Sequence, residues 1–176
     1  MSENVIPYLN GLPTSVWDSA DRAAWLASRV KSRSYADEVL SKIDALRERF
    51  DVVEFGQIDY GGERYPLLAL KTRDWRDDLP VALVTGGVHG YETSGVQGAF
   101  AFMAAHGGDY AGKINILLAP CVSPWAYERV QRWNAEALDP NRSFTGQGRT
   151  QEAAAQRALQ NFCHALMNSA AFVYVD

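Results

Sequence analysis

Cysteine and histidine are the scarce residues of this chain: its 176 residues contain 2 Cys and 3 His. Cys121 and Cys163 sit in apolar stretches without metal-like spacing. That argues against a disulfide scaffold or a cysteine-rich zinc module and reads as two buried free thiols. Excess basic charge is also missing, with 17 Lys and Arg against 21 Asp and Glu and a net charge of −4. Nucleic acid and anionic membrane both call for clustered Lys and Arg, so neither is expected as a partner. No apolar run approaches the roughly 20 residues that span a bilayer. The start, Met1 to Pro7, lacks the basic residues and apolar stretch of a secretory leader, so the cytoplasm is the expected compartment. Repeats, low-complexity tracts and domain linkers are absent from the sequence.

What is present is an ordinary globular composition, 47% hydrophobic and 22% charged, long enough for one domain with a sizeable core. The first 50 residues read as an irregular and helical segment, with turn signals at Asn10-Gly11 and Pro13. A short helix is expected within Asp18 to Val30. A second is expected from an N-cap at Ser34 to about Phe50, with Val39, Leu40, Ile43 and Leu46 at helical spacing. Val52 to Asp59 and Tyr65 to Leu70 flank Gly61-Gly62 and predict a β-hairpin, with Pro66 at an edge or at a strand start. Val81 to Thr85, Ile114 to Ala119 and Ala171 to Val175 read as buried strands. Glu92 to Ala105 and Thr150 to Met167 read as helices. Alternating buried strands and helices predict a three-layer α/β/α sandwich with a mixed, largely parallel central sheet. Ligands of such sheets gather where strands exit into helices.

The chemistry centres on Gly86-Gly87-Val88-His89-Gly90-Tyr91-Glu92, at the exit of Val81 to Val84. His89 and Glu92 offer an imidazole and a carboxylate three residues apart, both suited to zinc. A bare His-x-x-Glu is weak, although this composition gives only about 0.15 matches by chance. The competing reading is a turn histidine beside a glutamate favoured by a helix dipole. A second polar constellation runs from Arg132 to Phe144. Arg132, Asn141 and Arg142 suit planar recognition of carboxylates and carbonyls. The competing reading there is an arginine-rich surface loop.

Together the two segments resemble the zinc carboxypeptidase family, including its succinylglutamate desuccinylase and aspartoacylase branch. That family carries His-x-x-Glu after a core strand, then an arginine, then Asp-x-Asn-Arg-x-Phe. Here the last motif is Asp139-Pro140-Asn141-Arg142-Ser143-Phe144. Ser123-Pro124-Trp125-Ala126-Tyr127 is similar to the family's Asn-Pro-Asp-Gly-aromatic segment in its proline and aromatic. The likeness runs from about Val81 to Asp176. It implies a zinc-dependent hydrolase with His89 and Glu92 as metal ligands. Arg132 would stabilise the developing oxyanion, with Arg129 as its competitor. Asn141 and Arg142 would hold the substrate's terminal carboxylate. The implied substrate is a peptide or an N-acyl amino acid with a free carboxylate. Three readings follow: a carboxypeptidase, a deacylase of small N-acyl amino acids, and a non-catalytic truncated relative.

The family's third ligand is a histidine at the end of the strand that here reads Phe172-Val173-Tyr174-Val175, and Asp176 lies at or just before that point. The family's general-base glutamate has no counterpart. The sequence therefore reads as a partial domain over residues 1–176, prone to self-association through an exposed C-terminal sheet edge. His106 and His164 read as structural. Glu152 reads as a helix-dipole residue without a catalytic role. The tryptophans read as packing residues, with Trp125 and Trp133 flanking the cleft.

Overall fold

The computed structural model describes residues 17–144 and 150–166, with side chains to residue 159. The expected strand from Ala171 to Val175, Asp176, and the side chains of Cys163 and His164 lie outside the described residues. No helix among the described residues is long and apolar enough to cross a membrane.

Helix α1 spans Ser19–Ala27, and Asp18 and Asp21 close a capping box at its start. The helix expected after Ser34 forms in two parts. A wide-wound turn, Ala36–Leu40, runs into α2, Ser41–Leu46. The Ser34 hydroxyl accepts from the Asp37 N–H at 3.1 Å, as a cap should. Val39, Ile43 and Leu46 are buried, so the apolar spacing marked the inward face correctly.

Strands β1 (Asp51–Tyr60) and β2 (Glu63–Lys71) form the expected antiparallel hairpin. Gly61 and Gly62 turn the chain with φ of +64° and +88°, a conformation that matches the twist of the strands. Pro66 lies inside β2 rather than at its start. It faces Gln57 of β1, at a point where β2 has no second neighbour among the described strands, since β2 meets β4 at Leu70 and Lys71. The missing N–H therefore costs no ladder bond on that side.

Strands β3 (Val81–Thr85) and β4 (Asn115–Ala119) pair in parallel, with Val81 opposite Asn115 and Thr85 opposite Ala119. The sheet order is β1-β2-β4-β3. The sheet is mixed as expected, and among the described strands its parallel part is the β3–β4 pair. Every residue of β4 is buried. Its side chains alternate between two cores. Ile116 and Leu118 join Val96, Phe100 and Met103 of helix α3, Thr93–His106. Leu117 and Ala119 join Ala69 and Leu159, the latter on α5, Gln151–Leu166. Each fully buried leucine contributes about 2 kcal/mol, so β4 is the strand on which both layers depend. Beyond Val81, β3 is only half-buried, because β4 is its one partner among the described strands.

The parallel pair sends both chain exits the same way and stitches them together. The Val122 N–H donates to the Gly86 carbonyl at 3.0 Å, and Ser123 to Gly87 at 3.0 Å. A short helix that the sequence did not announce, α4 (Pro124–Arg129), follows β4. Gly90 lies so close to α4 that a Cβ there would sit 1.9 Å from the Ala126 carbonyl carbon. Only glycine permits that approach, and it seats the turn from His89 to Glu92 against α4. We expect Gly90→Ala to cost about 3 kcal/mol in urea unfolding. Gly98→Ala, at a helical position where a Cβ would meet nothing, should be neutral or stabilising by up to ~1 kcal/mol.

Candidate metal centre

His89 leaves β3 on a turn closed by its own carbonyl, which accepts from the Glu92 N–H at 3.2 Å. The His89 side chain is 7% exposed. Its Nδ1 lies 3.1 Å from Glu92 Oε1, and its Nε2 lies 2.9 Å from Asp139 Oδ1. Asp139 caps the single turn Pro140–Arg142, accepting from the Asn141 N–H at 3.0 Å. Its other oxygen accepts from Arg132 Nε at 3.1 Å and lies 3.1 Å from Arg132 Nη2. Arg132 Nη1 donates to the Tyr91 hydroxyl at 3.0 Å. The Tyr91 ring runs nearly parallel to the imidazole, with centroids 5.9 Å apart.

These contacts fix the charges. Burial pushes the Asp139 carboxyl up, but the hydrogen bond from His89 and the charge of Arg132 outweigh it and hold Asp139 below the usual range. Glu92 is also held low, its partial burial outweighed by His89 and the Tyr91 hydroxyl. Ionised Asp139 and Glu92 both only accept, so a neutral ring can donate to one of them, and the closer and more buried partner, Asp139 at 2.9 Å, takes the Nε2 proton. In a neutral ring Nδ1 is then an acceptor, and it faces a second acceptor, Glu92. Such a pair is satisfied by a cation, either a proton that makes an imidazolium or a metal ion. Two zinc ligands at about 2.0–2.2 Å from a tetrahedral ion lie roughly 3.3–3.6 Å apart. The observed 3.1 Å between Nδ1 and Oε1 is a few tenths of an ångström short of that edge. Asp139, on the far nitrogen, sits where the partner that orients a metal-ligating histidine is usually found.

The structure thus brings together His89, Glu92 and Arg132 and adds two residues whose parts the sequence did not reveal, Asp139 and Tyr91. Asp139 stood inside the recognised motif, seven residues after Arg132, and Tyr91 inside the His-x-x-Glu turn. Asn141 and Arg142 are exposed beside Asp139. Among the described residues, no group of three or more His, Cys, Asp or Glu side chains could hold a metal ion. Of the ligands expected from the sequence, His89 and Glu92 are among the described residues, and the position expected for the third lies outside them.

Arg129 is engaged elsewhere. Its Nη2 donates to both Glu63 oxygens at 2.9 Å, and its guanidinium lies 4.5 Å over Trp125. His106 is exposed at the end of α3, paired with Asp109 at 3.1 Å. Trp125 is buried in a cluster with Trp25 and Tyr60, and Trp133 packs on Trp25, so these rings pack rather than bind.

No protein-family model matches the sequence, and no curated protein matches it. Solved structures do. A protein of Shewanella amazonensis classed as a metallopeptidase superposes with a TM-score of 0.61 at 20% identity, over 78% of this chain and 52% of its own. A metallo-carboxypeptidase from Burkholderia cenocepacia gives 0.55 at 18%, over 72% and 36%. Bovine thrombin-activatable fibrinolysis inhibitor, solved with a tick carboxypeptidase inhibitor, gives 0.53 at 12%, over 80% and 58%. The chain has the fold of the metallocarboxypeptidases and spans from about a third to just over half of the length of these structures.

Asp139→Asn should lower stability by about 2 kcal/mol, the loss of charge-assisted hydrogen bonds. Because the folded carboxyl is held low, its contribution is present above the unfolded value of about 3.9 and is lost as pH falls through the folded value. Urea unfolding from pH 7 to pH 3 should show the gap between the two proteins constant above about pH 5 and closing in acid.

Proposed function

We propose that the protein is a zinc-dependent hydrolase that cleaves an amide bond next to a free carboxylate, as a carboxypeptidase does. The observation that carries this reading is the pair of acceptors, His89 Nδ1 and Glu92 Oε1, facing each other at 3.1 Å while Asp139 holds Nε2. His89 and Glu92 would hold the ion, which when bound polarises a carbonyl and lowers the pKa of water. Asp139 keeps the imidazole in the tautomer that leaves Nδ1 free to ligate. Arg132 has a side chain 36% exposed and is fixed by Asp139 and Tyr91. It is a positioned, always-charged donor suited to a developing oxyanion. Asn141 and Arg142 present exposed planar groups two and three residues after Asp139, suited to the terminal carboxylate. The buried free thiol of Cys121 fits a reducing compartment, the cytoplasm.

Equilibrium dialysis should find one equivalent of zinc, lost in the double variant His89→Ala/Glu92→Ala. A protein that binds no zinc at micromolar concentration would sink the reading. With peptides ending in a free carboxylate, Arg132→Met should lower kcat by about 10²-fold or more. Arg142→Met should act mainly on KM, and peptides with amidated C-termini should resist cleavage. Turnover of N-acyl amino acids but not peptides would move the assignment to a deacylase. Zinc binding without turnover of either would leave a non-catalytic relative.

A further inference from the structure

Glu152 opens α5 and is 0% exposed. A carboxylate removed from water is costly unless hydrogen-bonded. Tyr60, at the end of β1, donates its hydroxyl to both Glu152 oxygens at 3.0 Å. Asn134 Nδ2 lies 3.2 Å from Glu152 Oε2 and 2.9 Å from the Tyr60 oxygen. Burial pushes the Glu152 carboxyl up, against the pull of these donors. The helix dipole is therefore not what fixes this side chain. It is committed to two residues of other elements.

Asn134, also 0% exposed, is the centre of the turn that follows Arg132. Its Oδ1 accepts from the N–H groups of Glu136 and Leu138, both at 3.0 Å. Its N–H donates to the Leu138 carbonyl at 2.9 Å, and its carbonyl accepts from Ala137 at 3.0 Å. Ala137 has φ of +58°, a left-handed conformation costing a non-glycine residue roughly 1–2 kcal/mol. Such a residue persists where its surroundings over-determine it. The turn folds the chain back so that Arg132 meets Asp139 at 3.1 Å and Asp139 meets His89 at 2.9 Å.

We propose that Tyr60, Asn134 and Glu152 form a buried positioning device that sets the Asn134 to Leu138 turn, and through it the placement of Arg132 and Asp139 on His89. None of the three touches a reacting group. They act through the turn, and their functional consequence rests on the hydrolase reading above.

The test uses a swap of donor and acceptor. Asn134→Asp keeps an oxygen for the turn but sets a second carboxylate against Glu152. Adding Glu152→Gln gives that carboxylate a donor again, and Tyr60→Phe removes one donor while keeping the ring. In the full chain, the Nε2 proton of His89, assigned with His89→Ala, should give a slowly exchanging NMR signal in the wild type. Asn134→Asp should abolish that protection, weaken zinc binding about 10-fold and lower kcat more than it raises KM. The double variant should recover all three to within about 3-fold, and Tyr60→Phe should fall between. Unchanged His89 protection and zinc affinity in Asn134→Asp, with only a lower melting temperature, would overturn the proposal and leave a clamp of α5 on β1. If Asn134→Asp does not fold, Tyr60→Phe and the double variant carry the same comparison. Failure of the wild type to bind zinc would remove the hydrolase reading, and the His89 signal would still decide this one.

Discussion

The site depends on one carboxylate, that of Asp139. It accepts from an imidazole 50 residues before it, and from a guanidinium and a backbone N–H of its own stretch of chain. A half-buried carboxylate with fewer donors would be pushed toward its protonated form, and then it could not fix the tautomer of His89. The three donors act together. Each one holds the charge that the other two need.

The fold exists, in this respect, to bring those donors to one point. Parallel pairing of β3 and β4 makes both strands exit at the same end of the sheet, and the bonds from Val122 and Ser123 back to Gly86 and Gly87 keep the exits in register. Gly90 then lets the His89 turn lie against α4, whose chain continues to Arg132. The hairpin contributes from the other side, since Tyr60 at the end of β1 reaches the carboxylate that steadies Asn134. The site is therefore tied to β1, β3, β4 and α5, and little of it rests on free loop.

Much of this was legible in the sequence, and what was not has a common cause. Runs such as Val81 to Thr85 and Ile114 to Ala119, the glycine pair between two alternating segments, and the helical spacing of Val39, Ile43 and Leu46 are local signals. Local physics fixed those elements. Helix α4 left no such signal, because Pro124-Trp125-Ala126-Tyr127 is buried along its whole length and shows no amphipathic period. His89 and Glu92 were readable because both ligands lie on one turn. Asp139 was readable only through the motif that contains it, since its partner is 50 residues away. The choice between Arg129 and Arg132 needed Glu63, which lies 66 residues before Arg129. Glu152 looked like a dipole residue because its true partner, Tyr60, is 92 residues distant.

On the proposed reading, the charges around the site also divide the labour between the two arginines. Arg132 is already balanced by Asp139, so it contributes a fixed direction more than net positive potential. Glu92 is unbalanced when His89 is neutral, and by itself it would repel an anionic substrate. On the proposed reading a divalent cation between His89 and Glu92 reverses that sign. Among the described residues Arg142 makes no ion pair, so its charge is available to a carboxylate. Attraction of the substrate would then belong to the cation and Arg142, and discrimination of the developing oxyanion to Arg132. Separate residues would govern KM and kcat because one of the two guanidiniums is held by Asp139 and the other is not.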